Sequence, residues 1–146
     1  MFKRYTFWLK TAIVFQLLTA AIHSLSLFVT PVPQNETERQ LLDLMTNYRQ
    51  DAGAGFTPSA ADLMKALSSC FSLVCLLGGL TNAYLLKKNV SVEILRGMTG
   101  IQLLVFGICF AMMAFFTFLP PIVLTGLIFV SLVATFFILP KNTAIT

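Results

Sequence analysis

Charge is what this sequence has least of. Only 11% of its 146 residues are charged and 57% are hydrophobic, whereas a soluble globular domain carries roughly 25% charged residues. So few charges cannot cover the core of a water-soluble fold. The mean hydropathy of +0.83 points to hydrocarbon as the surrounding solvent, where every backbone polar group must be satisfied internally.

Other shortages narrow the chemistry. Histidine occurs once, as His23, and a lone histidine supplies neither a bis-histidine haem nor a zinc centre. There are three cysteines and no C-x-x-C, which disfavours a thiol–disulfide exchange enzyme of the four-helix membrane type. Cys70 and Cys75 are five apart on one helix and point in different directions, and Cys109 lies in another span. All three read as reduced and structural. The net charge of +4 comes without a basic patch interleaved with aromatics, so no nucleic-acid partner is implied. No metal and no cofactor are expected.

What is present is long apolar runs. Residues Gly97 to Pro140 contain no Asp, Glu, Lys, Arg or His. One span needs about 20 apolar residues, so this stretch holds two, broken where Pro120 and Pro121 interrupt it. The expected spans are 94–119 and 121–139. Two more lie upstream, at 7–30 and 58–86, the latter with Thr57 as N-cap and Pro58 at the first helical position. The run at 7–30 is longer than the 7–15-residue apolar region of a signal peptide and reads as a span. The fold class is therefore all-α, a single membrane domain over 1–146: a four-transmembrane-helix bundle with an extra amphipathic helix in the external first loop, 31–57.

Basic residues on short loops mark the cytoplasmic face. Lys3, Arg4, Lys10, Lys87, Lys88, Arg96 and Lys141 fall on one side. The other side has Arg39, Arg49 and Lys65 among Glu36, Glu38, Asp43, Asp51 and Asp62. Both termini are expected to be cytoplasmic, with a bacterial inner membrane as the default location.

Polar residues in the first two spans are not scattered. Gln16, Thr19, His23, Ser26 and Thr30 recur at steps of three and four, as do Lys65, Ser68, Ser72, Cys75, Gly79 and Asn82. That period puts each set on one stripe. Small and polar stripes are what membrane helices use to pack and to bond across. The third span offers Gly97, Gly100, Gly107, Ala111 and Ala114, with Gln102 as its one amide. The fourth is rich in Phe, Leu, Ile and Val and is expected to meet the most lipid.

The stripe has two readings. One is packing between helices. The other is a polar pocket or pathway lined by Gln16, His23 and Asn82, with Gln102 as a further candidate. An ionisable residue inside a membrane is costly and so is often functional.

The external segment adds a helix of its own. Asn35 followed by Glu38 reads as a capping box, Leu41, Leu44, Met45 and Tyr48 form an apolar stripe, and Gly53 reads as a stop. The helix is expected over Glu36–Gln50, on the outer membrane surface or over the bundle. The glycines at 53 and 55 read as a flexible bend, because no Gly-Lys-Ser/Thr follows them.

His23, Ser26, Tyr48, Arg49, Asp51, Asp62 and Lys65 are then expected around an external vestibule. Ligand-binding candidates are Gln16, His23, Ser26, Tyr48, Arg49, Lys65 and Asn82. Catalytic candidates are His23, with Asp62 or Asp51 to orient it, and Arg49 to hold an anionic headgroup. Three functions stay open: an accessory subunit or small-ligand or lipid-binding protein, an enzyme on a lipid-like substrate, and an oligomeric transporter or proton-coupled channel. The partners expected are the bilayer, another membrane protein, or further copies of the chain.

Overall fold

The computed structural model describes residues 3–29 and 31–140. It is all-helical, with five helices: α1 Lys3–Ser26, α2 Glu36–Asn47, α3 Ala60–Lys87, α4 Val92–Phe116 and α5 Leu119–Ile138. Four of them, all but α2, are long and apolar enough to cross a membrane. Thr30 of the polar stripe and Lys141 lie outside the described residues.

The chain divides into two compact units, residues 1–20 with 75–146, and residues 21–74. In the first, buried Leu9, Leu95 and Leu139 form an apolar cluster joined by Tyr5, Leu85 and Val90. The α3–α4 link is fixed by its hydrogen bonds. Asn89 takes a left-handed φ of 48°. Val90 N–H then donates to Leu85 C=O at 3.4 Å and Asn89 N–H to Leu86 C=O at 3.3 Å. These are the two bonds that close a Schellman motif, and Leu85 and Val90 both pack against the leucine cluster. Ser91 then caps α4, its Oγ accepting from Ile94 N–H at 3.4 Å. That cap starts α4 two residues before the expected Ile94.

Helices α4 and α5 form a tight hairpin turning at Thr117–Phe118. Pro120 and Pro121 do not end a helix here; they sit in the first turn of α5, where a missing N–H costs nothing. The two helices interlock by exchanging phenyl rings for glycines. A Cβ on Gly107 would meet Phe129 at 3.0 Å, and one on Gly126 would meet Phe110 at 3.1 Å. The two rings stack with centroids 5.8 Å apart. At the far end of the hairpin Arg96 donates to Leu139 C=O at 3.1 Å and lies 4.5 Å over the Phe136 ring. A cation is favourable at that helix C-terminus.

The expectation that α5 meets the most lipid is corrected. In its most apolar window 28% of residues are buried within the chain, against 17% for α4. Thr125, Ile128, Leu132 and Thr135 recur at helical spacing and all face inward. The hydroxyls were readable as isolated polar residues, but Thr125, Ser131 and Thr135 each satisfy themselves on a carbonyl four residues back and can be buried at little cost.

In the second unit the capping box of α2 forms. Asn35 Oδ1 accepts from Glu38 N–H at 2.9 Å, while the Glu38 carboxylate accepts from Gln34 N–H at 2.7 Å. Glu36 lies beside Arg39, whose guanidinium holds its carboxyl below the ordinary range. The helix ends at Asn47, three residues short of the expected Gln50. Gln50 is instead drawn into a small antiparallel turn. Arg49 bridges to Ser59, Gln50 N–H donates to Pro58 C=O at 3.0 Å, and Ala52 N–H donates to Phe56 C=O at 2.9 Å. Gly53, Ala54 and Gly55 all have positive φ at its tip, a conformation open to glycine at little cost.

Candidate functional site

The polar groups of the spans converge in one place. Gln16 of α1, Asn82 of α3 and Gln102 of α4 are buried, and their side-chain amides bond to one another. Gln16 Nε2 donates to Gln102 Oε1 at 2.9 Å. Asn82 Nδ2 donates to Gln16 Oε1 at 3.0 Å and to Gln102 Oε1 at 2.7 Å. Gln102 Nε2 returns a bond to Asn82 Oδ1 at 3.1 Å. Every amide donates and every amide accepts, so the ring closes without a charged group.

Local packing makes this possible. A Cβ on Gly78 would stand 2.7 Å from Gln16 Nε2 and 3.0 Å from Phe106, and one on Gly79 would stand 2.8 Å from Leu17. The glycine pair lets α1 and α3 approach closely enough for short amide side chains to touch. Phe106, itself buried, packs on the Gly78 side of α3 as the Gln16 amide does. One turn along α1, the Thr19 hydroxyl is buried with no partner among the described residues.

The structure thus brings together Gln16 and Asn82, both nominated from the stripe period, and Gln102, the further candidate. Gly78 was overlooked, because Gly79 falls in register with the stripe and its neighbour does not. The signal for it was the adjacent pair of glycines.

The residues expected around a vestibule lie in the second unit, where several of their polar groups engage local partners. The Asp62 carboxylate accepts from Arg49 Nη1 at 2.7 Å, from Ser59 N–H at 3.1 Å and from Ser59 Oγ at 2.9 Å. Ser59 Oγ in turn accepts from Asp62 N–H at 3.2 Å. Ser59 and Asp62 therefore form the capping box of α3, and the cap is Ser59, not Thr57. A serine two residues further on fits because its hydroxyl and the carboxylate three positions later serve both orphan donors. The Arg49–Asp62 pair is about half exposed, so solvent screens it and it contributes little.

Asp51 Oδ1 accepts from Gly53 N–H at 2.8 Å within its own turn. Tyr48 is exposed, and its backbone N–H caps α2 on Leu44 C=O. Ser26 Oγ donates to His23 C=O at 2.6 Å. Lys65 is exposed. His23 sets its ring edge-on against Phe71, centroids 5.1 Å apart. Among the described residues its imidazole makes no hydrogen bond to Asp51 or Asp62, and no group of three His, Cys, Asp or Glu side chains is arranged to hold a metal. No family model matches the chain, and no curated protein or solved structure matches it.

Proposed function

We propose that this is a small integral membrane protein whose four apolar helices cross the bilayer with both termini cytoplasmic. In this reading it acts as an accessory subunit or a small-ligand or lipid-binding protein, with α2 and the turn after it as an external amphipathic cap. A bacterial inner membrane is the setting proposed.

The observation that carries the reading is the closure of the Gln16–Asn82–Gln102 ring. Three neutral amides that satisfy one another hold helices together and leave no nucleophile or general base aimed at a substrate. Many large apolar side chains meanwhile point outward. Phe115 is 84% exposed and Phe116 82%, an arrangement suited to lipid or to another membrane protein. The surface, in this view, is what the protein offers.

Native mass spectrometry of the full chain extracted from its own membrane into nanodiscs tests the assignment. A companion polypeptide or lipid retained at fixed stoichiometry is the expected result. A bare chain that turns over a lipid-like substrate, and loses that turnover in a folded His23→Ala variant, would make it an enzyme instead.

A further inference from the structure

We infer that the basic end of the first unit binds the headgroups of anionic phospholipids; this rests on the membrane placement proposed above. Four chain segments meet there around buried Leu9, Leu95 and Leu139, with Leu85 and Leu86 of α3 packed against them. The same segments carry Arg4 and Lys10 on α1, Lys87 and Lys88 at the end of α3, and Arg96 on α4. Glu93 is the one acidic residue on them.

These cations do not have equal freedom. Arg96 is committed to the α5 terminus, through Leu139 C=O and the Phe136 ring. Arg4, Lys10, Lys87 and Lys88 are exposed and form no salt bridge among the described residues. Lys88 lies 5.8 Å from the centre of the Tyr84 ring, which is itself 60% exposed. Four exposed positive groups thus lie on the segments that pack this apolar plug, with no carboxylate paired to them among the described residues.

The surface next to the cations selects the occupant. One turn along from Lys10, Val14 is exposed, and two turns back from Lys87, Leu80 is exposed too. A soluble phosphate would satisfy the lysines and leave those apolar flanks bare. An anionic phospholipid satisfies both, with its phosphate at the lysines and its acyl chains against the helices. Each basic residue at such a surface strengthens attachment to anionic lipid several-fold, and an exposed tyrosine at the same level suits the interface.

Lipid binding to the full chain, and to a Lys10→Gln/Lys87→Gln/Lys88→Gln variant, tests this by native mass spectrometry. The probes are phosphatidylglycerol, phosphatidylcholine and inorganic phosphate. The expected result is at least about tenfold preference for phosphatidylglycerol over phosphatidylcholine, weakened by salt and lost in the triple variant. A Lys→Arg triple variant keeps the charge and should keep the preference, which guards against a folding defect. Equal binding of the two lipids, a preference that survives in the glutamine variant, or full competition by inorganic phosphate would overturn the inference while leaving the membrane reading in place. A chain that stays monodisperse without any amphiphile would end both.

Discussion

Asn82 donates to both of its neighbours in the amide ring, to Gln16 at 3.0 Å and to Gln102 at 2.7 Å, and accepts one bond back. Its loss therefore removes three of the four bonds in the ring, as many as the loss of Gln102 and one more than the loss of Gln16. Truncation to alanine leaves two buried amides with one bond between them, and a stranded buried polar group costs about 1–3 kcal/mol. Asn82→Ala is expected to destabilise the protein by that amount in a detergent unfolding assay. Replacing all three amides by leucine removes donors and acceptors together, and such exchanges are often close to neutral. The triple variant should be more stable than Asn82→Ala. The opposite order would mean that the ring contributes more than its own satisfaction. Two of the three ring residues were placed beforehand by a repeating pattern. Gln16 and Asn82 stand in their helix stripes at steps of three and four, and that period follows from helix geometry alone. Gln102 stood alone on its helix, and one residue has no period.

At the level of elements, glycines in α4 look alike in sequence and differ in what faces them. Gly107 and its counterpart Gly126 in α5 each receive a phenyl ring at 3.0–3.1 Å from where a Cβ would lie, while nothing stands within 4 Å of such an atom on Gly97. Gly107→Ala or Gly126→Ala needs the facing ring to give by a few tenths of an ångström; with the two rings stacked on each other the expected cost is an overpacking penalty of about 1–3 kcal/mol. Gly97→Ala only restricts the unfolded chain and should stabilise by about 0.4–1 kcal/mol. Thermal unfolding of the three single variants is the check, and equal shifts in all three would remove the ring-for-glycine account of the hairpin. The small-residue face of α4 was readable from Gly100, Gly107 and Ala111. Its partner was not, since a stripe tells which side of a helix packs and never which neighbour packs there. End signals fared unevenly for a related reason. Asn35 with Glu38 had no competitor nearby, whereas Thr57-Pro58 resembled a helix start and masked Ser59 with Asp62. The local pattern allowed both, and the choice fell to the Arg49–Asp62 contact and the bridge between Arg49 and Ser59, which involve residues at least ten apart.

For the whole molecule, the argument is one of solvent and sign. Four helices of 20 to 28 residues are each long and apolar enough for a crossing; in the proposed placement all four cross, and an even number of crossings puts the segments before α1 and after α5 on one side. Seven of the ten basic residues lie at positions 3–10, 87–96 and 141, the segments that an even crossing number places together. Cytoplasmic loops gather lysine and arginine, so the two ends and the α3–α4 link are expected inside, with α2 and the turn at 49–59 outside. Single cysteines introduced at exposed Lys88 and exposed Phe56, in a background with the native cysteines replaced, provide the test. An impermeant thiol reagent on intact cells should label position 56 and spare position 88 until the membrane is opened. Labelling of both in intact cells would remove one crossing from the count. Labelling of 88 alone would invert the protein and set its basic rim against the wrong leaflet.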